Sequence, residues 1–130
     1  MSIAYWCVLV AAVLPIVWAG AAKFGAVRTH ERAYSNARPR EFLASLTGWP
    51  ERAQWAQENS YEAFPPFAAA VIIAHVTGNA AQGTIDLLAL LFILARVAYG
   101  LCYIFDRSTL RSLVWLGGFL CVIGLFVTAA

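Results

Sequence analysis

Charge is scarce in this chain. Asp, Glu, Lys and Arg make up 12% of its 130 residues, against about 25% in soluble domains. Hydrophobic residues reach 62%, where about 45–50% is usual. So short a chain cannot hide that much apolar surface in a core of its own. A soluble globular fold is therefore excluded, and lipid must cover the excess. A basic run is also missing. The net charge is only +2, and no cluster of Lys and Arg tracks a phosphate backbone, so nucleic acid is not an expected partner. Cysteine is sparse. Cys7, Cys102 and Cys121 each lie in an apolar stretch, with no CxxC pair and no metal-ligand spacing. They read as small buried hydrophobes, and no metal site is expected. Repeats and low-complexity segments are absent, so residues 1–130 read as one domain.

What is present is a set of long apolar runs. Residues of about 3–22, 59–81, 85–105 and 113–129 are each read as a membrane span. Ala19-Gly20-Ala21-Ala22 has the composition of a cleavage site, but no positive n-region precedes the first run, which favours a span over a signal peptide. The second run is purely apolar only from Ala63 to Val76, so its span has to take in Asn59 and Glu62. Gly78-Asn79-Ala80-Ala81-Gln82-Gly83 and Asp106-Arg107-Ser108-Thr109 make short connections. Short connections imply antiparallel neighbours. The expected fold is an all-α integral membrane protein, an up-down bundle of four transmembrane helices.

Charge sets direction. The first connection, about residues 23–52, carries Lys23, Arg28, Arg32, Arg38, Arg40 and Arg52. The third carries Arg107 and Arg111, and the opposite side carries no Lys or Arg. Both termini are therefore expected outside and the first and third loops in the cytoplasm. In the first loop, Asn36 to Pro39 reads as a turn and Arg40 to Leu46 as a short interfacial helix. Thr47-Gly48-Trp49-Pro50-Glu51 reads as a helix start, with Pro and an acid in the first turn. Pro65-Pro66 should bend the helix that follows.

Two of the ionisable residues within the apolar runs are singled out as a pair. Glu62 falls in the second span and Arg96 in the third. A central Arg costs about 2.5–3.5 kcal/mol to insert. The Leu, Ile, Phe and Val residues around it return about 0.3–0.6 kcal/mol each. The helix inserts regardless, yet Arg96 needs a partner, and a Glu62–Arg96 ion pair is the expectation. Arg52, Trp55, Asn59 and Glu62 share one helix face by spacing; Arg96, Tyr99, Tyr103 and Arg107 share another. Meeting in the cytoplasmic half, the two stripes suit a polar, partly anionic ligand beside an apolar slot. Tyr and Trp at a membrane boundary are also ordinary anchors. His75 is expected near the outer interface as a satisfied or exposed side chain.

Asn59-x-x-Glu62-x-x-Pro65, then Arg96-x-x-Tyr99-x-x-x-Tyr103, then Leu110-Arg111-Ser112 together resemble the MAPEG family, the membrane-associated proteins of eicosanoid and glutathione metabolism. The likeness runs from the first span to the fourth and is nearest to a bacterial branch. It implies a homotrimer in the bacterial inner membrane, with glutathione as thiol co-substrate between subunits and a small lipophilic substrate arriving from the lipid bilayer. It assigns Arg52, Asn59, Glu62 and Arg96 to the glutathione site and Arg111, Tyr99 and Tyr103 to catalysis. Arg111 would favour the thiolate, which is the nucleophile. Two positions depart from the pattern. Trp55 stands where glutathione users usually carry arginine, and Ala63 where a tyrosine often follows the glutamate. Arg28, Arg32 or Arg38 would have to replace those contacts. The resemblance thus implies a glutathione-dependent transferase or peroxidase acting on lipophilic electrophiles. Its alternative is a non-catalytic membrane scaffold, lipid-binding protein or accessory subunit on the same fold. A transporter or channel is disfavoured by the lack of a charged pore ring.

Overall fold

The structure is a computed structural model that describes residues 1–30 and 34–130. The described residues form five helices and no strand: α1 (Ile3–His30), α2 (Pro39–Ala44), α3 (Trp49–Thr77), α4 (Gln82–Ile104) and α5 (Ser108–Ala129). The long helices follow from uninterrupted apolar sequence; the punctuation sits where the helices stop. Pro50 lies in the first turn of α3, where its missing N–H costs nothing. Gly78 ends α3 in the left-handed conformation at φ 71°, which glycine adopts without a Cβ clash. Asp106 turns the chain between α4 and α5 at φ 57°. Pro65 and Pro66 lie inside α3, and the helix continues through them. Proline has no N–H, so the carbonyls of Tyr61 and Glu62 lose their partners four residues on.

α1, α4 and α5 are long and apolar enough to cross a bilayer. α3 is as long, at 29 residues, but its first half carries Glu51, Arg52, Gln54, Gln57, Glu58, Asn59 and Glu62. That polarity sets it apart from the other three. α1 stays helical through His30, so Lys23 and Arg28 lie on a helix and not in a loop. The expected short helix of the first loop is α2, beginning at Pro39.

α3 and α4 form the inner pair: α3 packs on α1, α4 and α5, and α4 on α1, α3 and α5. Small residues make this close approach possible. Ala4, Ala11, Ala70, Ala74 and Ala89 are all buried in the main core. The Phe67 and Phe92 rings stack between α3 and α4 with centroids 3.9 Å apart. Gly100 is the tightest point: a Cβ there would run into the Trp18 ring of α1.

One end of the molecule is tied by polar contacts. The Ser2 hydroxyl lies 2.9 Å from His75 Nε2, and His75 stacks on Tyr5. The Ala4 amide donates to Asp86 at 2.8 Å. Asn79 donates to the Ala129 carbonyl at 3.2 Å. The start of α1, the α3–α4 turn and the end of α5 therefore meet at one end. Successive long helices run in opposite directions as a result.

Candidate functional site

The site is built where α3, α4 and α5 converge. Arg96 projects from α4 and is 4% exposed. Its guanidinium donates to Asn59 Oδ1 at 2.7 Å, and Asn59 Nδ2 donates to Glu62 Oε2 at 3.1 Å. The expected direct Glu62–Arg96 ion pair is therefore corrected. Among the described residues the one ion pair within 4.0 Å is Arg38–Glu41 on the surface. The reason is steric and chemical. Asn59 sits one helical turn before Glu62 and nearer to Arg96, and an amide has an acceptor for the guanidinium and a donor for the carboxylate. The charges communicate through a neutral relay.

The relay continues along α4. The Arg96 guanidinium lies over the Tyr99 ring, 4.4 Å from its centroid. Tyr99 meets Tyr103 edge to face at 5.2 Å. Arg111 of α5 lies over the other ring of that pair, 4.2 Å from the Tyr103 centroid. Cation–ring contacts of this kind are worth about 0.5–2 kcal/mol, more when shielded from water. A continuous line thus runs from Glu62 through Asn59, Arg96, Tyr99 and Tyr103 to Arg111. Six of the seven residues singled out from the sequence lie on it.

Arg52 is the seventh. Its Nε donates to the Tyr103 carbonyl at 2.8 Å and a terminal nitrogen donates to the Ile104 carbonyl at 3.0 Å. These are carbonyls of the last turn of α4, where a cation is favoured. Arg52 thereby locks α3 to α4 beneath Tyr103 and takes no part in the slot described next. Arg107 immediately precedes α5 and is exposed. Among the described residues, Arg28 and Arg38 of the first connection make their contacts elsewhere. Arg38 pairs with Glu41, Arg28 lies over Phe24, and Arg32 lies outside the described residues.

Beside the relay is a slot of about 200 Å³. Asn59, Glu62 and Arg96 form its polar end, and Phe92, Trp115 and Phe119 are among its apolar walls. Arg96 Nε is buried without an acceptor. Trp115 and Phe119 were not singled out from the sequence. Their signal was there: two aromatic residues four apart on α5 share one face, and their rings stack at 5.4 Å. Apolar helices carry too many such pairs for spacing alone to choose among them. Trp55 stands apart from the slot, 42% exposed, while Ala63 lines it. No group of His, Cys, Asp or Glu among the described residues could hold a metal ion.

Helices of membrane length around a relay that runs from a buried guanidinium through an amide to an exposed carboxylate define an integral membrane protein with a polar site among its helices. The family is more specific than the class. The MAPEG family profile matches residues 3–130, and the chain belongs to that family. No curated protein and no solved structure matches the chain.

Proposed function

We propose that this MAPEG protein is a glutathione-dependent transferase or peroxidase for lipophilic electrophiles. α3 serves as a fourth crossing, and three copies assemble in a bacterial inner membrane with the termini outside. The observation that carries the reading is the Arg96–Asn59–Glu62 relay at the polar end of an otherwise apolar slot. Glutathione, when bound, supplies a nucleophilic thiol. This chain's residues fit such a group by their chemistry. Arg96 offers a donor to a carboxylate, Glu62 an acceptor to an ammonium, and Arg111 a cation beside a thiolate. Tyr99 and Tyr103 offer phenols for a proton to the leaving group. The slot's volume, about 200 Å³, is below the ~300–1,000 Å³ of sites for drug-sized ligands. A neighbouring copy would supply the remaining wall, in keeping with the trimer.

A second reading has its own support. Arg52 is spent on carbonyls of α4 and Trp55 stands outside the slot. The start of α3 therefore offers an anionic tripeptide no free cation, which favours a non-catalytic scaffold or lipid-binding protein. Thermal unfolding of the detergent-solubilised protein separates the two. Under the enzyme reading, millimolar glutathione raises the midpoint; a ligand at a hundred times its Kd stabilises by about 2.7 kcal/mol. The change Arg111→Ala then lowers turnover by about 10²–10³, the cost of removing one group that stabilises developing charge, with the oligomer intact. No shift at millimolar glutathione selects the scaffold.

A further inference from the structure

Tyr103 is the residue on which the long helices converge. It packs against the cluster of Leu14, Trp18 and Ala56 from α1 and α3. Tyr99, one turn earlier on α4, meets its ring edge to face at 5.2 Å. Arg111 of α5 lies over that ring, 4.2 Å from the centroid. A further ring contact comes from Trp55 of α3, with centroids 6.1 Å apart and planes tilted by 58°.

Trp55 follows Arg52 by three residues, so the two share a face of α3. They grip Tyr103 at two levels. Arg52 donates to the Tyr103 and Ile104 carbonyls at 2.8 and 3.0 Å and fixes the backbone. Trp55 meets the ring. The aromatic row also descends in exposure: Trp55 is exposed, Tyr103 half-buried and Tyr99 buried. Trp55 is thus the outermost member of the row, and it stands outside the slot.

Arg111 depends on that row. Among the described residues no carboxylate lies within 4.0 Å of its guanidinium. What holds the cation over α4 is an aromatic face. A face attracts a cation and an edge repels it, so the contact is lost when the ring turns. The second side-chain torsion of tyrosine is broad and does not fix the ring by itself. Tyr99 restrains it from within α4, and Trp55 restrains it from α3.

We infer that Trp55 is a positioning residue: it holds the Tyr103 ring, and through that ring it sets where the Arg111 guanidinium sits. The placement matters to turnover only under the transferase or peroxidase reading, on which this role rests, since there Arg111 favours the thiolate. A tryptophan at a membrane boundary also serves as an ordinary anchor, and the test separates the two roles.

The first measurement uses no glutathione. The full-length protein in detergent is treated with phenylglyoxal, which modifies arginine. The rate at Arg111 is read by peptide mass spectrometry, with exposed Arg107 as internal reference. Trp55→Ala should raise the Arg111 rate about two- to tenfold, the factor that one ring–ring contact represents. Trp55→Phe keeps a ring and should hold the original rate. Trp55→Leu keeps apolar bulk without a ring and should act as alanine does, should the alanine variant fold poorly. Tyr103→Leu should raise the rate on its own. Adding Trp55→Ala to it should then raise the rate no further, because the coupling runs through that ring.

The second measurement is turnover with glutathione and a lipophilic electrophile. Trp55→Ala should lower kcat about tenfold to a hundredfold, the cost of misplacing a group by about 1 Å, with KM for glutathione little changed. The pH profile of kcat should move upward, since a displaced cation favours the thiolate less, and Trp55→Phe should restore both. Absence of turnover in the unaltered protein would remove the transferase reading and leave the Arg111 rates to decide on Trp55. An Arg111 rate unmoved by Trp55→Ala, raised equally at Arg107, or raised again in the Tyr103→Leu background overturns the inference. So does an active protein whose kcat ignores Trp55→Ala.

Discussion

Replacing Asn59 by leucine tests the relay most directly. Leucine keeps the branched shape of the side chain, with two methyls in place of the amide, and removes both polar ends of the bridge. Arg96 then loses its 2.7 Å hydrogen bond while it remains 4% exposed, and its Nε has no acceptor to begin with. Hydrogen bonds to charged groups are worth about 1.5–3 kcal/mol. Stranding a buried charge raises that toward about 3–5 kcal/mol. The expected loss is therefore about 2–4 kcal/mol. Glu62→Gln gives the contrast. Glu62 is exposed and touches Asn59, not Arg96, and a glutamine oxygen can accept the same hydrogen bond. Its cost should stay within about 1 kcal/mol, the scale of an exposed charge interaction. A direct ion pair reverses the order and makes Glu62→Gln the worse change. The double variant Asn59→Leu, Arg96→Leu removes the charge along with its partner and should recover much of the loss, as buried ionic groups replaced by apolar ones often do. The assay is reversible unfolding in mixed micelles, read as a four-variant cycle. A coupling below about 0.5 kcal/mol, the usual additivity error, or a Glu62→Gln variant less stable than Asn59→Leu, would refute the reasoning.

Three further outcomes are expected. Gly100→Ala should cost about 1–3 kcal/mol, the usual penalty for overpacking, because the added methyl meets the Trp18 ring; the unfolding midpoint reports it, and Trp18→Leu should restore part of it. Arg52→Lys should lose about 1.5–3 kcal/mol, the value of a charged hydrogen bond, since an ammonium cannot span two carbonyls as the guanidinium fork does; an unchanged midpoint counts against that role. Reporter fusions should place both ends of the chain on the side away from the cytoplasm, because eight Lys and Arg residues lie in or beside the first and third connections and none on the opposite side; cytoplasmic ends would reverse that orientation.

Much of the architecture was legible because helices in lipid announce themselves. Every backbone polar group must be satisfied within the segment, so a long apolar run has one conformation open to it. Gly78 and Pro50 mark helix ends by their own backbone limits, before any packing is considered. Stripe spacing also served well. Asn59 and Glu62 lie three apart on α3, and Tyr99 and Tyr103 lie four apart on α4; both pairs are in side-chain contact. Arg52 was less legible. A cation on the right face reads the same whether it meets a ligand or a helix end.

The sequence by itself determined that this chain lives in a membrane, how its apolar helices divide, and that a guanidinium and a carboxylate would have to be reconciled inside them. Those conclusions follow from hydropathy and helical period, which are local properties. Only the tertiary structure decided that the reconciliation runs through Asn59, that Arg52 is committed to the carbonyls of α4, and that Trp115 and Phe119 wall the slot. Those outcomes depend on the rotation of each helix about its axis and on differences of an ångström or two between candidate partners. Side-chain packing between helices sets both, and no single helix carries that information.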